Sequence, residues 1–470
     1  MPPVLALLLW LVFLVALLCF DPARLPETSS VLWVPLIWMF ITASRLPSQW
    51  LGGNSGPAAA RLEEGNALDR TIFFMLIILA VGILVSRSFQ WNAFFSRNVA
   101  LTAFLFFALV SVLWSDFPLV AFKRWFRDLG QYLIVLVVLS DPHPAEAVRF
   151  LIRRFCYLMI PLSILLIKYY PQFSRQYDSW SGAVSISGAT TSKNMLGVAC
   201  LVSGLFFFWD TVTRWSKRKE PRTKKILAEN FAFMAMTLWV LNLCESATSR
   251  VCLVLSCLIV AAVRSKVVRR RPGVFKFLIP VCFVLYVILA YGFDLNAWMA
   301  GMLGRDPTLT NRTVIWNLLL GMKTNPIIGT GYESFWLGPR LQYIWQRFAV
   351  GLNEAHNGYL QVYLNLGLIG LGLLLIFLIS SYRRLWKKFT PSSGLSDLAS
   401  LSLATWTVLL FYNMSEAGLG SGLLWLTLLF GVTAVRERAP GHVQDVAAVG
   451  KLRPANGMSR LPLEMASRRQ

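Results

Sequence analysis

Apolar residues run in blocks along almost the whole chain, separated by short polar or basic connectors. Blocks able to cross a bilayer as helices fall at 3–20, 31–45, 69–86, 98–114, 129–140, 151–168, 194–211, 229–244, 250–264, 275–292, 357–381, 398–413 and 419–435. The run at 129–140 is shorter than the roughly 20 residues a spanning helix needs. Hydropathy therefore counts thirteen spans with it and twelve without it. In lipid, backbone polar groups must be satisfied within the chain, so the expected fold is an all-α polytopic membrane protein. The opening run from Leu5 to Phe20 has no basic residue before it and no convincing cleavage site, and is expected to be a retained first span.

One long polar excursion interrupts this pattern. It divides the chain into transmembrane helices over 1–292, a loop over 293–356, further transmembrane helices over 357–435, and a polar tail over 436–470 that is expected to be disordered. Within the loop, Thr310 or Asn311 is expected to cap a short helix running to about Lys323, stopped by Asn325-Pro326. Helical spacing puts Arg312, Trp316, Leu319 and Lys323 on one face, an amphipathic pattern suited to a membrane surface. Gly329-Thr330-Gly331 then makes a tight loop.

Composition agrees with the pattern: 56% hydrophobic, 14% charged, with a mean hydropathy of +0.57. The net charge of +22 lies in short clusters between apolar runs without a nucleic-acid-binding signature, so nucleic acid is not an expected partner. Cations are retained on the cytoplasmic side of membranes. Basic connectors at 214–225, 264–271 and 383–388 alternate with loops at 245–249 and 414–418 that hold no Lys or Arg. The 293–356 loop therefore belongs outside, on the periplasmic face of a bacterial inner membrane, with the carboxyl terminus inside. Leaving 129–140 out of the spans would group Lys123, Arg124 and Arg127 with Arg149, Arg153 and Arg154 on the inner side, together with the amino terminus, so charge favours twelve crossings. All seven cysteines sit in or beside apolar runs and read as small core residues.

None of these runs carries a charged residue at its middle, which weakens an ion-coupled transporter. There is no nucleotide-binding GxxxxGK[ST] loop and no Asp-x-Asp pair to hold a metal on a sugar phosphate, so neither a metal nor a cofactor is expected. Phosphate chemistry would rest on Arg312, on Arg250 after Ser246-Ala247-Thr248-Ser249, and on Lys193, all on the outer face. The plain alternatives are headgroup contact for the arginines and a cap region for Lys193. His356 stands between Glu354 and Asn357, and an imidazole near neutrality can take a proton from an attacking sugar hydroxyl while Glu354 orients the ring. Trp316, Asn357 and Tyr359 are candidates to contact a glycan or acceptor, with an interfacial aromatic belt as the alternative for the rings.

Arg312-x-x-x-Trp316, Asn325-Pro326-Ile327-Ile328-Gly329-Thr330-Gly331, His356-Asn357-Gly358-Tyr359-Leu360 and Leu366-Gly367-Leu368-Ile369-Gly370 follow in this order. With Ser111-Val112-Leu113-Trp114-Ser115-Asp116-Phe117-Pro118 and Ser249-Arg250 upstream, the chain resembles the O-antigen ligase and Wzy polymerase superfamily, especially its exopolysaccharide-polymerase branch. The specific part is about 247–371; Asn311 departs from relatives that often have Gly before the arginine. The resemblance implies a metal-independent GT-C-type glycosyltransferase taking glycan from undecaprenyl diphosphate at the periplasmic face. It implies that Arg250 and Arg312 hold the diphosphate and that His356 serves the acceptor. Partners would be an undecaprenyl diphosphate-linked oligosaccharide, membrane lipids and other polysaccharide assembly and export proteins. A ligase acting on lipid A–core and a flippase of lipid-linked sugars are the competing readings.

Overall fold

A computed structural model describes residues 1–23, 29–52, 63–177, 184–265, 268, 272–292, 312–348, 352–388 and 397–435. The expected disordered tail and the expected cap at Thr310 or Asn311 lie outside these residues. The longer helices among the described residues begin with α1 (Pro3–Phe20), α2 (Trp33–Ala43), α3 (Ala67–Ser86), α4 (Val99–Val110), α5 (Pro118–Leu139), α6 (Pro144–Tyr169), α7 (Lys193–Arg214), α8 (Pro221–Leu243), α9 (Ala247–Arg264) and α10 (Pro272–Gly292). After them come α11 (Arg312–Gly321), α12 (Gly338–Arg347), α13 (Gly358–Lys387), α14 (Asp397–Tyr412) and α15 (Leu423–Val432). Proline opens α1, α5, α6, α8 and α12, where its missing N–H costs nothing. A short hairpin, β1 (Arg175–Tyr177) with β2 (Val184–Ile186), joins α6 to α7.

Among the described residues, seven helices are long and apolar enough to cross a membrane, eight if the bent pair Trp91–Arg97 and Val99–Trp114 is one span, and four shorter apolar helices accompany them. The chain is a multi-pass membrane protein. Contacts between helix ends sort them into two faces. On one face Tyr170 donates to Pro3 O, Ser48 Oγ to Asp69, Trp114 Nε1 to Ile328 O and Asn194 to Glu416. On the other, Arg87 pairs with Asp141, Arg153 with Asp210, Arg264 with Thr213, and Arg384 reaches Arg97 O. Residues 214–225, Arg264 and 383–388 thus share one face, opposite His356.

Two expectations change. First, α5 is one continuous helix of 22 residues, with 129–140 forming only its apolar second half. Its first half lies on the face of the polar loop: Arg124 donates to Glu333 O and Tyr332 donates to Asp128 Oδ2 at 2.9 Å. Its second half ends beside Arg87 on the opposite face, where Val137 O accepts a 2.7 Å hydrogen bond. Grouping Lys123, Arg124 and Arg127 with Arg149, Arg153 and Arg154 is therefore overturned, and the amino terminus joins the polar-loop face. The charge count misled because Asp128 and a loop carbonyl engage the cations of α5 there. Second, helix α15 starts only at Leu423, so much of the 413–422 segment is irregular and dips inward until Gly420 O meets the hydroxyl of Tyr132, midway along α5. Irregular backbone at that depth is tolerated where protein buries it.

The interior is packed by α6, α7, α14 and α15, with Phe155, Tyr157, Phe206, Phe207, Trp209 and Trp425 fully buried. Helix α6 has 26 residues, about 39 Å at 1.5 Å per residue, so its first turns extend past the bilayer core. Nearer its start than its end, Arg153 bonds Asp210 at 2.6 Å and Asn230 at 2.9 Å, while Arg154 faces Asp21.

The polar loop is built on α11 and α12. Ile315, Trp316 and Leu319 of α11 pack against Phe335, Trp336, Leu341, Ile344, Ala355 and Leu364. The amphipathic reading of α11 holds for Trp316 and Leu319, but Lys323 falls beyond its end and is exposed. Outside the hydrocarbon core such packing draws on the full hydrophobic effect, about 1.5–3 kcal/mol per buried large side chain.

Candidate functional site

The two glycine motifs hold each other. Helix α13 breaks at Gly367, whose φ of 64° and ψ of −165° no helix contains. The segment 326–331 docks there: Thr330 and Gly331 donate to Leu364 O and Asn365 O, while Leu368 and Ile369 donate to Pro326 O and Ile327 O. Two carbonyls and two N–H groups of α13 at the break thereby find partners. A Cβ on Gly329 would meet Asn365 C at 2.4 Å, and one on Gly367 would meet Ile327 C at 2.3 Å. These motifs are a backbone joint, and the joint places the loop just before α13.

That loop ends in His356. Asn357 caps α13, its Oδ1 accepting from the N–H of Tyr359 at 3.0 Å and of Leu360 at 3.1 Å. His356 itself has φ of +47°, the left-handed region, which costs of order 1 kcal/mol for an L residue. Trp316 donates its indole N–H to Ala355 O at 2.7 Å, and the Tyr359 hydroxyl reaches Leu410 O at 3.1 Å. Trp316, Asn357 and Tyr359, singled out for a glycan, are thus each engaged in fixing the turn that presents His356.

The charged groups converge on the 413–422 segment. His356 Nδ1 lies 3.0 Å from Glu354 Oε1 and 3.4 Å from Glu416 Oε2. Arg312 Nη2 donates to Glu416 Oε1 at 2.7 Å, and its Nη1 donates to Ser415 O. Asn194 Nδ2 donates to Glu416 Oε2 at 2.9 Å, and Thr248 shares a 2.9 Å hydrogen bond with Ser415. Five separate parts of the chain meet here, carrying Asn194, Thr248, Arg312, His356 and Glu416.

Burial would lower the His356 pKa, but its bonds and charge contacts with Glu354 and Glu416 outweigh this and raise it to about 9. Burial would likewise raise the Glu416 carboxyl, yet His356 and Arg312 hold it below its ordinary value. Glu354, His356 and Glu416 bring one donor atom each within 4.8 Å of one another. The positive charge beside Glu416 is already supplied by Arg312 and the imidazole.

Of the expected site residues, the structure brings together His356, Glu354 and Arg312. Arg250 lies one helical turn into α9 and donates to Asn242 O at 2.9 Å, closing the turn between α8 and α9. Lys193 is exposed at the start of α7, and its neighbour Asn194 makes the contact with Glu416. Glu416 itself has no motif around it. The available signal was an acid in a short loop free of Lys and Arg, on the face of Arg312 and His356.

Residues 231–375 match the family model described as O-antigen ligase. The chain carries an O-antigen ligase domain. The exopolysaccharide production protein ExoQ of Rhizobium meliloti (strain 1021) is 26% identical over 302 residues, covering 60% of this chain and 63% of that relative. The match thus spans less than two thirds of the relative's length. The O-antigen ligase domain contains Arg250, Arg312, Trp316, Glu354, His356, Asn357, Tyr359 and the joint at Gly367, in keeping with the motif resemblance. Asn194 and Glu416 lie outside the O-antigen ligase domain.

Proposed function

We propose that this protein is an inner-membrane glycosyltransferase of polysaccharide biosynthesis that moves a glycan from undecaprenyl diphosphate to an acceptor hydroxyl at the periplasmic face. The observation that carries the reading is the placement of His356 between two carboxylates and beside Arg312. Both carboxylates approach Nδ1, so Nδ1–H is the donor and Nε2 is the nitrogen left for the acceptor. The acceptor oxygen attacks the anomeric carbon and its proton passes to Nε2. The bond from that carbon to the diphosphate breaks, and undecaprenyl diphosphate leaves with the electron pair.

Arg312 supplies positive charge for the leaving diphosphate in a largely buried position, its side chain 15% exposed, where charge counts for more than in water. Arg250 and Lys193 extend the cationic surface along the same face. No metal is required when guanidinium groups neutralise the leaving group. A polysaccharide polymerase is favoured over a ligase because the curated relative is an exopolysaccharide production protein. Assembly and export proteins of the same polysaccharide would be its partners.

The test is transfer by purified protein in liposomes with a lipid-linked oligosaccharide. A new glycosidic bond, formed in EDTA and without nucleotide, is the expected product. Translocation of intact donor with no new bond would instead assign the protein as a flippase. In cells, deletion should remove exopolysaccharide and leave lipopolysaccharide intact; rough lipopolysaccharide with accumulated lipid-linked polymer would make it a ligase.

A further inference from the structure

Glu416 lies outside the matched domain and outside every sequence motif, yet its two oxygens meet Arg312, Asn194 and His356 while the residue is 3% exposed. An anion so buried stays only because cations face it. One of those cations is the group assigned to the donor diphosphate. We propose that Glu416 is a positioning residue: it occupies the diphosphate seat on Arg312 in the donor-free protein, and passes to His356 when the donor arrives. The proposal rests on the reading of Arg312 as the diphosphate-binding cation.

Carboxylate and phosphate oxygens take the same edge of a guanidinium. Both terminal nitrogens of Arg312 are engaged, one by Glu416 and one by Ser415 O, so an arriving diphosphate must displace at least one of them. Repulsion between the two anions makes Glu416 the one to yield. It need not enter water, since Oε2 already faces His356 and Asn194. Donor binding then concentrates the carboxylate on Nδ1 of His356, which strengthens Nε2 as a base only when there is a glycan to transfer. Only hydrogen bonds exchange when Glu416 moves from Arg312 to His356.

The consequence is a split that a merely structural carboxylate would not produce. Glu416→Gln should bind diphosphate more tightly, because the competing charge is gone, and transfer more slowly, because His356 has lost a partner. In nanodiscs carrying the full chain, calorimetric titration with inorganic pyrophosphate should give a dissociation constant about fivefold or more below wild type. In the same particles kcat with a lipid-linked oligosaccharide should fall about a hundredfold, with part of it restored in Glu416→Asp. Gel filtration and the Glu416→Asp variant identify a protein that has failed to fold. If wild type binds pyrophosphate better than Arg312→Ala does, but folded Glu416→Gln binds it equally or more weakly than wild type, the role of Glu416 is overturned. If wild type binds it no better than Arg312→Ala, the assignment of Arg312 is overturned, and this proposal with it.

Discussion

At His356 burial and charge pull in opposite directions, and charge wins. A pKa raised to about 9 means the imidazole is mainly protonated at neutral pH, so a mechanism that needs it neutral speeds up as pH rises toward 9. Glu354→Gln removes one anion that favours the imidazolium, so the rising limb of the rate profile should move to lower pH; an unmoved limb would show that Glu354 does not act on the ring. His356→Ala should lower kcat by about 10²–10⁴, measured on protein that remains monodisperse in detergent. Arg312→Ala should cost about a hundredfold or more. Arg312→Lys keeps the charge, loses the planar fork and should fall between the two.

At the scale of elements, the joint between 326–331 and the broken helix α13 accounts for the glycine motifs without assigning them any chemistry of their own. Gly367→Ala combines a positive φ with a 2.3 Å clash and should destabilise the protein by at least about 1–3 kcal/mol, seen as a lower unfolding temperature. That His356, Glu354 and Arg312 would lie on one face was legible from residue type and motif order; the cap at Asn357 is local in sequence, whereas the joint pairs 326–331 with 364–369. Trp316 was legible as part of the motif, but its indole is spent on Ala355 O, which spacing alone could not reveal. The role of Glu416 and the path of 413–422 were not legible: 414–418 reads as a plain loop and 419 as the start of a span, whereas the helix starts at Leu423 and Gly420 O accepts from the Tyr132 hydroxyl. The charged first half of α5 misled for a related reason, since Glu333 O engages Arg124 from a distance no local pattern records.

On the scale of the whole molecule, the two faces divide the work. The cluster of Arg312, His356 and Glu416 sits on one, and the ion pairs of Arg153 and Arg154 tie α6 to α7 and to the residue after α1 on the other. Arg153→Ala leaves Asp210 without its closest partner and should destabilise the fold by about 3–5 kcal/mol, while turnover per folded molecule stays unchanged. Cysteines placed at Lys193 and Lys219, both exposed, should be labelled from opposite sides of the membrane, the first by an impermeant reagent from the periplasm.

The central claim is that His356 and Arg312 together transfer a glycan from a lipid diphosphate. Its most direct measurement is single-turnover reaction of purified wild type, His356→Ala and Arg312→Ala with a lipid-linked oligosaccharide in liposomes containing EDTA. Wild type should form a new glycosidic bond, and either variant next to none. Equal product from His356→Ala, or intact donor moved across the bilayer with no bond formed, would contradict it.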